Sequence, residues 1–412
     1  MKASFQQIGQ HSSHSTGLRL LAIIGLAIGL AGCASNVIKS TEYVPVVQET
    51  AEIPESELLD VGIHIFDPNL DNPVDDDERM LFPEVRKAES RFIPYQLMAS
   101  LQKSSAWGAV RVIPNQQSSV DVNVEGKILQ SDGEQLLLLV TVRDATGSVW
   151  FEKEYEALAS KYAYTADRGY NAPDPFQGLY NRIANDMLAY RRQQPSSELL
   201  RIRTVAELKF AQNFSPTAFS EHLKQSDQGT YSIQRLPADN DPMMERIRLI
   251  RERDYLFVDT LQDYYGTFVK EMQGSYQEWR KMSYDEVMAL RELKRDARNR
   301  TIAGIASIIA GVAAAGSDNG SSRAAGSVAV AAGGYLIKSG FDKRAESQMH
   351  IEALMELGDS LEADIEPQVI ELEDRTITLS GSVENQYEQW RQLLQEIYRI
   401  DTGISAADAN VN

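Results

Sequence analysis

Between Asp241 and Trp279 apolar residues recur at steps of three or four: Ile247, Ile250, Phe257, Leu261, Tyr264, Phe268, Met272, Tyr276 and Trp279, broken at Asp254. That spacing draws one stripe along an α-helix. Asp241-Pro242 supplies an N-cap side chain and a proline for the first helical position. If Gly266 and Gly274 do not break it, the helix runs to about 50 residues, or about 75 Å at 1.5 Å per residue. The stripe reads first as a core face, with a partner groove as the alternative. Two pentapeptides echo each other, Tyr276-Gln-Glu-Trp279-Arg280 and Tyr387-Glu-Gln-Trp390-Arg391. On a helix their Tyr and Trp share a face with Arg beside the ring, which predicts paired motifs that dock one helix on another.

Ahead of this rod, strands are predicted at 58–66, 109–113, 120–129, 135–143 and 149–155 from their β-branched and apolar content. Turns at Ser131-Asp132-Gly133 and Asp144-Ala-Thr-Gly147 favour antiparallel hairpins. A helix over 84–105, which Pro94 should kink or interrupt, and another over 176–192 complete an α+β domain spanning 57–195. The predicted fold class is α+β: a mostly antiparallel sheet with helices on one face, a long-helix region over 196–300, an Ala/Gly-rich hairpin over 301–340, and a small C-terminal β-β-α unit within 341–412.

The N-terminus carries Lys2 and Arg19 but no acid, then thirteen uncharged residues from Leu20 to Gly32. This is the order of a secretory signal, and the run is too short for a hydrocarbon core that needs about 20 residues. It ends in Leu30-Ala31-Gly32-Cys33, which resembles a bacterial lipobox. The resemblance implies cleavage before Cys33 and acylation of that residue; a free thiol or an intermolecular bridge are the alternatives for the lone cysteine. Ala34, by similarity to Gram-negative sorting rules, implies the periplasmic face of the outer membrane. Several acyl chains make a stable anchor where one is marginal. Residues 34–56, polar and with Pro45 and Pro54, read as a tether. Without Lys2 and Arg19 the 41 basic residues fall to 39 against 59 acids, a net of −20 that argues against nucleic acid as a partner.

Arg91-Phe-Ile-Pro-Tyr-Gln-Leu, Trp107-Gly-Ala-Val-Arg-Val-Ile-Pro114, Asp121-Val-Asn-Val-Glu-Gly-Lys-Ile-Leu129 and Val142-Arg-Asp-Ala-Thr-Gly-Ser-Val-Trp150 together resemble envelope lipoprotein domains. These are the domains of the curli-secretion pore protein, the Pel export lipoprotein and the transport-auxiliary lipoproteins. The resemblance spans about a third of the chain and implies ring assembly and export, without catalysis. The whole chain is also similar to a family of large proteobacterial outer-membrane lipoproteins. Thr376-Ile-Thr-Leu-Ser-Gly-Ser-Val383 with a following helix is similar to half of a BON domain.

Two further stretches carry site expectations. Asp67, Asn69, Asp71, Asp75 and Glu78 fall at positions 1, 3, 5, 9 and 12 of an EF-hand-like calcium loop. Asn72 stands where glycine is wanted, and a solvated acidic turn is the other reading. Thr301 to Ser317 and Ala324 to Ile337 are uncharged arms of seventeen and fourteen residues, and they repeat small residues at Gly304, Ser307, Gly311 and Gly326, Ala329, Gly333. Such seams let helices approach closely, as a membrane hairpin, a self-association surface or a flexible linker. Neither a phosphate loop nor a nucleophile elbow nor a zinc-helix motif occurs, and His64, His222 and His350 lie in unrelated segments. The sequence therefore predicts a non-enzymatic, oligomeric lipoprotein that serves an export or envelope complex, with a calcium- or lipid-binding envelope module as the second reading and an envelope-polymer enzyme as the third.

Overall fold

A computed structural model describes residues 41–71, 82–114, 120–165, 173–314, 352, 356, 368–371 and 376–402, and beyond residue 289 it describes the long helix by its backbone. All of these belong to one compact unit. In chain order the elements are β1 (Val61–His64), α1 (Pro83–Lys103), β2 (Val110–Ile113), β3 (Val122–Ser131), β4 (Gln135–Asp144), β5 (Val149–Leu158) and α2 (Gln177–Arg191). There follow α3 (Ser196–Phe214), α4 (Pro216–Phe219), β6 (Leu223–Gln225), β7 (Tyr231–Ile233), α5 (Pro242–Ala314), β8 (Gln368–Glu371), β9 (Thr376–Leu379) and α6 (Val383–Thr402).

The main sheet has the order β2-β1-β3-β4-β5. Its hairpins β3–β4 and β4–β5 are antiparallel as the turns implied, whereas β1 runs parallel to both of its neighbours. A parallel neighbour needs a crossover, and α1 between β1 and β2 provides one. Along β4, Leu136, Leu138, Val140 and Val142 are buried while the alternate residues are half-buried, so one face of the sheet carries the core.

Pro94 does not interrupt α1. A proline removes the donor for the carbonyl four residues earlier, here Ser90. The backbone N–H of Phe66 donates to that carbonyl at 2.9 Å, so the freed acceptor is satisfied by the segment leaving β1. The stretch read as a tether is bound from Thr41 onward. Thr41 N–H donates to the Leu158 carbonyl at 2.9 Å, Val47 N–H to Asn185 Oδ1 at 2.8 Å, and Glu49 N–H to the Ser104 carbonyl at 2.7 Å. Within the region expected to be helical over 196–300, Leu223–Gln225 and Tyr231–Ile233 are instead the paired strands β6 and β7.

The helix α5 spans 73 residues, about 110 Å. Asp241 caps it as read, its carboxylate accepting the Met243 N–H at 2.9 Å. Neither glycine breaks it: a Cβ on Gly266 would sit 2.9 Å from the Tyr95 hydroxyl, and Gly274 faces open space. The helix therefore passes through the first half of the expected hairpin as far as Ala314. Buried residues from Met244 to Trp279 join those of the sheet, α1, α2, α3 and α6 in one hydrophobic core.

Candidate functional site

Three polar anchors fix α5 to the rest of the chain, and they are the most developed side-chain constellations among the described residues. The first lies at the Tyr276 pentapeptide. Arg280 is fully buried, and its Nη1 meets Asp174 Oδ2 at 2.6 Å while its Nη2 donates to the Tyr276 hydroxyl at 2.6 Å. That hydroxyl donates to Glu89 Oε1 at 2.5 Å, which also receives the Ser131 hydroxyl at 2.5 Å. The guanidinium lies over the rings of Tyr276, Phe176 and Phe92, 3.9, 4.9 and 5.7 Å from their centroids. Burial alone would favour loss of its proton, but the Asp174 charge and the tyrosine oxygens around it outweigh burial and raise its pKa.

The second anchor repeats the first. Arg391 meets Asp254 Oδ2 at 3.3 Å, and the Tyr387 hydroxyl lies 3.4 Å from the same oxygen. Trp390 stacks on Phe257 with centroids 4.8 Å apart, and Arg391 lies over Phe214 and Phe210. Asp254, the one break in the apolar stripe, is thus the carboxylate that receives α6. Burial raises its pKa against the opposing pull of Arg391. The echo read in the sequence is a repeated docking motif that joins α5 to α1 and α2, and α6 to α5 and α3.

At the third anchor the sheet edge is held. Arg111 on β2 grips Asp259 at 2.6 and 2.9 Å, and its guanidinium lies over Tyr255. The side-chain amide of Gln262 accepts the Val112 N–H and donates to the Val112 carbonyl, both at 2.9 Å, as a neighbouring strand would. This covers part of an edge otherwise open to pairing.

Asp121, at the entry to β3, is 2% exposed and accepts the Asp60 N–H at 2.8 Å, with Arg251 at 3.8 Å. Burial pushes its carboxyl up to about 6, against the opposing charge of Arg251. A carboxyl with a raised pKa adds stability that is complete below its unfolded value and is lost as pH rises through the folded value. The Asp121→Asn variant is therefore expected to unfold later than the parent at pH 7.5, by about 3 kcal/mol, and to match it near pH 3.5. Urea midpoints at the two pH values check this, and an equal offset at both would contradict it.

A groove of about 430 Å³ lies in front of Arg251, lined also by Glu55, Ser56, Leu200, Arg203, Thr204 and Glu207. Of the charged residues lining it, Glu207 holds Arg248 at 2.6 Å and Arg203 donates to the backbone carbonyl of Glu55.

The residues that carry the lipoprotein resemblance act in packing. The Asp144 carboxylate accepts the Thr146 N–H at 2.8 Å and the Trp150 indole N–H at 2.9 Å, fixing the turn at Gly147, whose φ is +86°. Trp150 in turn stacks on Tyr190 at 4.8 Å. A Cβ on Gly126 would fall 2.3 Å from the Phe66 ring, so that position admits only glycine's bare backbone.

Of the expected calcium ligands, Asp67 pairs with Lys127 at 3.0 Å and accepts the Asn69 N–H at 2.7 Å, so its oxygens already have partners. Asp71 is described; Asp75 and Glu78 lie outside the described residues. Among the described residues no group of three or more His, Cys, Asp or Glu could hold a metal ion. Leu30, Ala31, Gly32 and Cys33, and Gly326, Ala329 and Gly333, also lie outside the described residues, while Gly304, Ser307 and Gly311 lie on the described backbone of α5. No helix among the described residues is long and apolar enough to cross a membrane. The sequence signal foretold the two pentapeptides but not their acidic partners Asp174 and Glu89, nor Asp259 and Gln262.

No family model and no curated protein matches this chain. Among solved structures it is similar to hypothetical protein CT253 from Chlamydia trachomatis, at 12% identity, covering 32% of this chain and 94% of that one, with a TM-score of 0.20.

Proposed function

We propose that this chain is an acyl-anchored envelope lipoprotein with a structural role, attached through Cys33 to the periplasmic face of the outer membrane. In this reading it assembles with copies of itself or with the proteins of an export or envelope complex. The observation that carries the reading is the order of the N-terminus: two cations, thirteen uncharged residues and Leu30-Ala31-Gly32-Cys33. The likeness to export lipoprotein domains supports the assembly role, as does a helix that runs on for about 45 Å past its buried Tyr284. A rod held by buried ion pairs transmits position between an anchored base and a partner, and its long exposed side offers surface for self-association.

Cells labelled with radioactive palmitate test the anchor. The parent is expected to carry label and to sediment with outer membranes, whereas the Cys33→Ser variant is expected to carry none and to leave that fraction. Label on both proteins, or on neither, overturns the proposal. Native mass measurement in detergent addresses assembly: a ladder above the monomer supports it, and a strict monomer contradicts it.

A further inference from the structure

We propose that the distal end of α5 docks on the membrane leaflet that holds the anchor, so that the body is attached at two points. The inference rests on the acylation of Cys33 proposed above and adds a second, protein-borne contact with an anionic phospholipid surface.

The chain enters the body at the Leu158 end of β5, where Thr41 N–H donates to the Leu158 carbonyl at 2.9 Å and Leu158 N–H donates to Thr41 Oγ1 at 2.8 Å. Eight residue steps separate Cys33 from Thr41, and fully extended they reach at most about 28 Å. The helix α5 leaves the body at this same end. It runs along the β2 edge in the direction of β3, from Arg251 beside Asp121 to the β3–β4 turn, where Gly133 N–H donates to Ser283 Oγ at 3.2 Å. Leu158 pairs with Gln135, two residues beyond that turn glycine, and Tyr164 packs on Tyr284 with centroids 5.6 Å apart.

From Tyr284 to Thr301 are seventeen residues, about 26 Å of helix. The uncharged stretch Thr301–Ala314 therefore begins at the distance from the body that the anchoring chain can span. Immediately before it stand Arg295, Arg298 and Arg300, in a mature chain whose net charge is −20. A cation cluster against an apolar stretch matches the order of headgroup and acyl layers, and each cation near an anionic surface adds attraction. The fourteen uncharged residues make about 21 Å of helix, short of the roughly 30 Å of a hydrocarbon core, so the contact is with one leaflet.

The test uses the acylated full-length protein with Ile305→Cys or, separately, Asp285→Cys, reconstituted in phosphatidylethanolamine–phosphatidylglycerol vesicles. An acylated Cys33 has no free thiol, so a thiol-reactive fluorophore reports the introduced cysteine alone. Labelling of the parent at Cys33 would mean that the anchor is missing, a failure of the proposed function distinct from that of this inference. With brominated acyl chains the Ile305→Cys fluorophore is expected to dim at least about twofold and the Asp285→Cys fluorophore to stay unchanged, as for apolar residues sunk below the headgroups. No dimming at position 305 in acylated protein overturns the proposal. So does shielding at that position that persists after the vesicles are dissolved in detergent, which would assign the stretch to a second copy of the chain.

Discussion

Asp174→Ala is expected to lower the stability of the folded chain by about 3–5 kcal/mol, as removal of one partner of a buried pair does elsewhere. The reason is the charge left behind. Arg280 is fully buried, and its other contacts are the Tyr276 hydroxyl and three aromatic faces, none of which carries a balancing charge. Because Tyr276 also donates to Glu89, which accepts from Ser131 and lies 3.7 Å from Arg86, loosening Arg280 disturbs the link from α5 to α1 and β3 together. The double variant Asp174→Ala, Arg280→Met is expected to be milder than Asp174→Ala alone, since it removes the stranded cation and keeps an unbranched apolar side chain. Urea midpoints of the two variants decide this. A double variant less stable than the single one would show that the pair is not what holds the helix.

Gly133→Val is expected to have a comparable effect by a different route. A Cβ at this position would stand 1.9 Å from the Arg280 carbonyl oxygen and 2.2 Å from the Tyr284 nitrogen, both backbone atoms of α5 that cannot rotate aside. The turn and the helix must part, breaking the bond from Gly133 N–H to Ser283 and exposing Tyr284 and Tyr164. Overpacking ordinarily costs about 1–3 kcal/mol, and here the loss of the adjoining contacts adds to it. Limited proteolysis is the direct readout: cleavage of α5 between residues 276 and 289 should appear in the variant and not in the parent. A variant as resistant as the parent would contradict the close approach.

The parts of the fold that follow from local pattern were legible in the sequence. Period-three-to-four apolar spacing and the Asp241-Pro242 start marked α5, and the turn residues at 131–133 and 144–147 marked the antiparallel hairpins. Long-range partners were not legible. Glu89 and Asp174 look like ordinary acids in the sequence, and only folding brings them to residues 187 and 106 positions away. The parallel setting of β1 was equally hidden, because nothing in four residues of strand records which neighbours flank it. Asp254 showed in the sequence only as a break in the apolar stripe, and its partner Arg391 lies 137 positions away. Pro94 misled for a similar reason: its cost was real, but the acceptor it freed was taken by Phe66, which no local pattern announces. Leu30, Ala31, Gly32 and Cys33, on which the proposed anchor depends, lie outside the described residues.

If α5 is a rigid extension of the body, the distance across the junction at Tyr284 is fixed. Spin labels at Glu154→Cys on β5 and Arg300→Cys on α5, with Cys33 replaced by serine, should give one narrow distance distribution by pulsed dipolar spectroscopy. A broad or bimodal distribution would mean that the helix pivots at Tyr284, and the rod joined to its base by buried ion pairs would have to be abandoned.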